Sequence, residues 1–268
     1  MKKNQSIGII GSGNMGRALA GVLASQRWKV FIYDIKKAKY KKAKNVYPCR
    51  TASEVIEKVP AVIIAIKPQD IPGFLLQSAV RTTFENTRPL VISIAAGVST
   101  SCYEKKIKRI KIVRVMPNLG ALCGQAVSFL CAGKNVRRKD VAFARNIFHR
   151  VGDVYVISES MLDKVTAISG SGPGYVFYFM DCLFRSALKL GFSRVLARAM
   201  VARTFSGACA LAEHRKDDFK TLVEQVASKG GTTRAALDVF AQNKFEMLMA
   251  NAVASAYRRA RQLSNIKR

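Results

Sequence analysis

The sequence predicts an α/β fold in two halves, a doubly wound parallel sheet followed by an all-helical domain. Three observations predict it. Short apolar runs alternate with helical stretches through the first half, the rhythm of βαβ units. A glycine-rich turn joins the first of these strands to the first helix, and beyond about residue 159 the strand pattern stops.

In chain order, SIGII (6–10) reads as a strand, NMGRALAGVLAS (14–25) as a helix and KVFIY (29–33) as a strand. SEVIEK (53–58) is a short helix. AVIIAI (61–66) is a buried strand bounded by Pro60 and Pro68; PLVISIA (89–95) and KIVRVM (111–116) are two more, the last stopped by Pro117. QAVSFLCAG (125–133) and DVYVIS (153–158) are strands on either side of the helix KDVAFARNIFHR (139–150). Then Val176, Phe179, Met180, Leu183, Phe184, Ala187 and Leu188 recur at three- and four-residue spacing, which predicts a long helix ending near Gly191. Ser193 caps a helix over 194–214 and Asp217 one reaching about 226, and 233–241 and 244–263 are two more. The change of pattern falls at 156–162, so the expected domains are 1–158 and 159–268.

With 49% hydrophobic residues in a chain of 268, a well-buried core is expected. No apolar run approaches the ~18 residues of a membrane span. The start, MKKNQSIGIIGSGNMG, enters a short strand rather than a signal-peptide core, so a cytoplasmic protein without a membrane partner is expected. The six cysteines show no C-x-x-C pair, and neither His149 nor His214 adjoins a ligand set; thiols and no metal are expected. The balance of 45 Lys and Arg against 17 Asp and Glu, net +28, suits anionic partners of any kind. Outside KKAKYKKAK (36–44) the basic residues are spread along the chain, and no zinc finger, RNA-recognition motif or basic zipper is present, which disfavours nucleic acid.

Gly11-Ser12-Gly13-Asn14-Met15-Gly16 is a G-x-G-x-x-G placed directly after a strand and opening a helix. The first glycine permits the tight turn, the second lets backbone approach a pyrophosphate, and the third lets helix pack on strand. Together with Asp34 just past the second strand, this predicts a dinucleotide site on an N-terminal Rossmann domain. Asp34 would accept a ribose 2′-hydroxyl and repel a 2′-phosphate, which favours NADH; Lys36, Lys37 and Lys39 could pair with that phosphate, so NADPH stays open. Ligands in such sheets bind beyond the carboxyl ends of the strands. Ala65, Lys67 and Pro68 of AIKPQD and Ala95, Ala96 and Gly97 of IAAGVS are therefore candidate cofactor residues.

Several stretches together resemble the pyrroline-5-carboxylate reductase family: IGSGNMG (10–16), IAIKPQD (64–70), ISIAAGVS (92–99), VRVMPN (113–118), AISGSGPGYVF (167–177) and ASKGGTTRAAL (227–237). Their order and spacing cover nearly the whole chain. The resemblance implies a Rossmann domain followed by an all-helical dimerisation domain. It further implies hydride transfer from NADPH or NADH to the C=N of 1-pyrroline-5-carboxylate, giving L-proline. The implied assembly is a homodimer, with larger rings of dimers in similar enzymes.

Reducing a cyclic imine needs a hydride donor, a hydrogen-bonding group at nitrogen and an anion site for the carboxylate. Gly230, Gly231, Thr232 and Thr233, just before a helix, offer amides for the carboxylate, and Ser228 adds a hydroxyl. By resemblance, Thr233 meets the ring nitrogen as the catalytic residue, and Glu159 corresponds to a carboxylate near the substrate. The chain departs from the family pattern at Lys229, where proline is usual, at Leu119-Gly120 in place of Thr-Pro, and at Gly174, Ala52 and Gln225. Two other readings remain: a related reductase of another cyclic imine or a hydroxy acid, for which Lys164 and Lys189 are candidates by position, and a non-catalytic dinucleotide or nucleic-acid binder.

Overall fold

The computed structural model describes residues 5–36 and 43–265. Among them eight strands form one sheet: β1 (Ser6–Ile10), β2 (Lys29–Tyr33), β3 (Val46–Pro48), β4 (Ala61–Ile64), β5 (Leu90–Ser93), β6 (Lys111–Met116), β7 (Ala126–Ala132) and β8 (Gly152–Val156), in the order β3-β2-β1-β4-β5-β6-β7-β8. All neighbours are parallel except β6 and β7, which pair antiparallel with Val113 opposite Ala132. The parallel sheet read from the sequence holds for every pair but that one. A parallel return needs a crossover of a dozen or more residues. Between Met116 and Ala126 there is room only for a 3₁₀ turn over Leu119–Cys123, so the chain doubles back.

Helices α1 (Asn14–Ser25), α2 (Ala52–Glu57), α3 (Ile71–Leu76), α4 (Ser78–Thr87), α5 (Thr100–Glu104), α6 (Arg138–Phe148) and α7 (Leu162–Val165) accompany the sheet. Alternate strand residues divide the core into two layers, as a period of two requires. Ile7, Ile9, Ile63 and Ile92 join Leu19 and Leu23 of α1 and Ile147 and Phe148 of α6. Ile10, Val62, Ile64 and Val91 join Val55 of α2, Phe74 of α3, Phe84 of α4 and Tyr103 of α5. Gly8 has no side chain because a Cβ there would stand 2.5 Å from a Val55 methyl, so its absence lets α2 close on β1. The hydroxyl of fully buried Tyr103 lies 2.6 Å from Ser93 Oγ, which fixes α5 beneath β5.

The second compact unit runs from Gly172 to Ser255, and from Ala256 the chain belongs again to the first. It contains α8 (Gly172–Lys189), α9 (Arg194–Arg215), α10 (Phe219–Val226), α11 (Thr232–Gln242) and most of α12 (Phe245–Asn265). The cap of α10 is Asp218, one residue beyond the expected Asp217. The Ser193 hydroxyl does accept from Leu196 N at the start of α9. Little of this unit is buried. Phe177, Val195 and Phe219 are 60%, 82% and 78% exposed, an amount of open apolar surface that marks an interface. α9 is also long and apolar enough by composition to span a bilayer, with hydropathy 1.3. Arg198 and Arg203 interrupt its apolar run. Each would cost about 3 kcal/mol at a bilayer centre, so a protein face is the better cover for α9.

Candidate active site

The glycine loop leaves β1 at Ile10 and enters α1 with Gly13 as its cap. Its three glycines have three separate causes. Gly11 has φ +104°, and a Cβ there would meet the Ala65 carbonyl oxygen at 2.5 Å. At Gly16 a Cβ would lie 2.1 Å from the Gly11 carbonyl oxygen, so any side chain would prise helix from strand. A Cβ at Gly13 would have no protein atom within 4 Å. Protein packing therefore explains the first and third glycines but not the second. That open space beside an uncapped helix N-terminus is what a pyrophosphate requires, and the loop fits a dinucleotide.

Two contiguous cavities flank the loop, about 760 Å³ and about 440 Å³, sharing Gly11, Asp34, Ile35, Ile66 and Asp70. They lie beyond the carboxyl ends of β1 and β4, where the strand order reverses and α/β sheets hold their ligands. Asp34 sits at their junction. Its Oδ2 accepts hydrogen bonds from Ser12 N at 2.6 Å and Ser12 Oγ at 2.7 Å, and its Oδ1 accepts from Lys36 N at 2.9 Å. Partial burial pushes the Asp34 pKa up, but these donors outweigh it and hold the carboxyl below its ordinary value.

Ser12, Gly13, Ala65 and Lys67 line the smaller cavity, with Arg17 and Lys36. Asn14 accepts from Arg17 at 3.2 Å, Met15 packs against the core, and Pro68 opens a short 3₁₀ turn. Lys37 and Lys39 lie outside the described residues. Ala95, Ala96 and Gly97 form the loop after β5 and line neither cavity. Gly97 has φ +70°, and a Cβ there would meet the backbone of Leu263 and Ser264 at 3.1 Å, so the end of α12 packs on this loop.

A polar network that the sequence reading missed supports the same region. Arg114, 4% exposed, donates to Asp163 Oδ1 at 3.0 Å and to Glu159 Oε1 at 3.4 Å. Glu159 also accepts from Thr100 N at 2.7 Å and Thr100 Oγ1 at 2.8 Å, and Ser264 Oγ donates to Asp163 Oδ2 at 2.9 Å. The signal was present: a guanidinium in the apolar strand KIVRVM cannot be buried without acid partners. Both oxygens of Glu159 are engaged in this brace at the start of α5, so its expected place among the substrate ligands is not carried by the geometry.

The stretch Ser228–Thr233 lies in the second unit, between α10 and α11. Gly230 has φ +73°, which only glycine adopts without strain, and its turn is closed by Gly231 N donating to Ser228 O at 3.0 Å. Gly231 is the cap of α11 with no side-chain acceptor, which leaves the amides of Thr232, Thr233 and Arg234 pointing out of the first turn. A Cβ on Gly231 would stand 2.6 Å from Ser228 Oγ. The two glycines thus make the turn and leave room for the hydroxyl beside it. Arg234, also missed, donates to Glu224 Oε2 at 2.6 Å and to the Ala227 carbonyl at 3.2 Å, fixing the entry of the loop to α10.

Two departures have structural causes. A Cβ on Gly120 would meet Gln125 O at 2.3 Å, so the Leu119–Cys123 turn packs where a larger residue would clash. Gln225 accepts from Arg215 at 2.7 Å. Nothing in the structure explains Gly174.

Residues 159–263 match the family model for pyrroline-5-carboxylate reductase dimerisation, and residues 6–97 match that for NADP oxidoreductase, coenzyme F420-dependent. The chain is 34% identical to a pyrroline-5-carboxylate reductase of Methanosarcina acetivorans, over 97% of this chain and 98% of the relative. It is 31% identical to that of Synechocystis, over 96% and 97%. Among solved structures, pyrroline carboxylate reductase of Plasmodium falciparum with NADP bound superposes with TM-score 0.88 at 29% identity, covering 98% of this chain and 99% of that one. The Coxiella burnetii enzyme does so with TM-score 0.85 at 29% identity, over 98% and 99%. With its glycine loop, its α11 turn and its full length all accounted for, the chain belongs to the pyrroline-5-carboxylate reductase family.

Proposed function

We propose that the protein reduces 1-pyrroline-5-carboxylate to L-proline with NADH or NADPH, the last step of proline biosynthesis. One observation carries the reading: α11 opens on Gly230-Gly231-Thr232-Thr233 with its first-turn amides uncapped, in a family whose substrate is a small cyclic imine carboxylate. When bound, the dinucleotide supplies the hydride; this chain binds and orients.

Gly11–Gly16 and the α1 N-terminus hold the pyrophosphate, with Arg17 and Lys67 beside it. The amides of Thr232, Thr233 and Arg234, with the Ser228 hydroxyl, hold the substrate carboxylate. Thr233 Oγ1 hydrogen-bonds the ring nitrogen and so fixes which face of the C=N carbon receives hydride. Glu159 acts as a positioning residue through Thr100 and Arg114. We take 159–268 as the substrate-binding and dimerisation module, and the exposed apolar faces of α8–α11 as the homodimer surface, with rings of dimers as the higher assembly. Light scattering reads both states. None of the six cysteines is in a disulfide, which fits the cytoplasmic location we assign.

The test is loss of reduced-nicotinamide absorbance on addition of 1-pyrroline-5-carboxylate. Turnover with either dinucleotide supports the reading. A folded sample that binds dinucleotide but turns over with neither contradicts it.

A further inference from the structure

Resting on the dinucleotide reading above, we infer that this protein selects NADH over NADPH, and that Asp34 makes the selection.

Asp34 is not a mobile surface carboxylate. It is held by three donors from two directions, the Ser12 amide and hydroxyl on Oδ2 and the Lys36 amide on Oδ1. Swinging it away from an incoming group would break all three bonds and release the glycine loop that Ser12 belongs to. The carboxylate therefore stays at the junction of the two cavities, and a ligand must accommodate it.

An adenosine ribose can do so. A carboxylate offers about four lone-pair sites. Among the described residues three are taken here, leaving one on Oδ1, and the Ser12 hydroxyl can turn to share with a second donor. The 2′- and 3′-hydroxyls bring donors to those places. A 2′-phosphate brings acceptors and negative charge to a group that can only accept.

The arrangement of charge along the groove points the same way. Among the described residues, the charged side chains lining the larger cavity are Asp34 and Asp70, both acidic. The smaller cavity, beside the glycine loop, shares both carboxylates but adds the cations Arg17, Lys36 and Lys67. Lys36 is exposed, so solvent screens its ammonium group, while its amide supports Asp34. Among the described residues, cations thus offset the carboxylates only beside the glycine loop, and none lines the larger cavity, where a 2′-phosphate would meet Asp34.

Calorimetric titration of the full chain with NADH and with NADPH, without substrate, tests this directly. The expected result is an NADH dissociation constant about tenfold or more below that of NADPH, the scale of one unfavourable charge contact near a protein surface. In Asp34→Asn, which keeps the shape and removes the charge, the ratio should shrink at least about threefold. Thermal melts confirm that the variant is folded, and Asp34→Ser provides a second replacement. Tight NADPH binding by the wild type, equal to or better than NADH, overturns the inference and leaves the function intact. An NADH preference unchanged in both folded variants overturns the role of Asp34. Binding of neither dinucleotide to the folded wild type overturns the cofactor reading, and this inference with it.

Discussion

Arg114 and Asp163 form a buried ion pair, Nη2 to Oδ1 at 3.0 Å, with the Arg114 side chain 5% exposed. The pair joins β6 to α7, and the Ser264 hydroxyl on the other oxygen of Asp163 adds the end of α12. Because Gly97 lies against Leu263 and Ser264, one guanidinium underpins the loop that follows β5. Breaking a buried pair leaves uncompensated charge, typically worth about 3 kcal/mol or more. Arg114→Met should lose about 3 kcal/mol in urea denaturation. Adding Glu159→Gln and Asp163→Asn should recover much of that by removing the stranded charges; no recovery would mean that packing, not charge, sets the loss.

The glycine loop makes a sharper division. Gly13 has φ −62° and open space at its Cβ position, so Gly13→Ala should change stability by no more than about 0.5 kcal/mol while weakening dinucleotide binding about tenfold. Gly16→Ala must push against the Gly11 carbonyl and should cost about 2–3 kcal/mol of stability. Urea titration and calorimetry on both variants check the pair. Equal effects on stability would refute the separate roles.

Thr233→Ala should lower kcat/KM for 1-pyrroline-5-carboxylate about 10- to 100-fold, the range for losing a hydrogen bond to a charged or developing-charge group. Dinucleotide affinity should stay within about twofold, because the cradle is built from Gly11–Gly16 and α1 without the Thr233 hydroxyl. Loss of both affinities together would show a folding defect instead.

Asp34 also gives a pH dependence with a definite sign. Its folded pKa is below the ordinary 3.8, so the stability from its ionised form is present above that value and lost as pH falls through the lower folded one. Wild type should exceed Asp34→Asn in stability near neutral pH, and the two should converge as pH falls through the lowered folded pKa. A difference that persists unchanged into acid would rule out the ionised, hydrogen-bonded carboxylate as its source.

Much of this was legible in the chain. SIGII, the α1 segment and KVFIY coincide with β1, α1 and β2, because apolar alternation and the glycine punctuation agree there. The helices α3 and α4 were not read. Pro72 and Gly73 look like breakers, and α4 buries only Val80 and Phe84, too few to show a period. β3 is three residues ending in proline, below what pattern can reveal. At the site, types and spacing gave the cradle, Asp34 and the α11 turn. The Arg114 and Arg234 contacts join residues far apart in the chain or across a turn, and only packing brings those partners together.

The central claim is hydride delivery to the C=N carbon of 1-pyrroline-5-carboxylate, and the most direct measurement is the fate of the label from NADH dideuterated at nicotinamide C4. Mass spectrometry should find one deuterium in the product proline, located at its δ carbon. Proline formed without deuterium, or no proline from folded, dinucleotide-bound enzyme, would contradict the account.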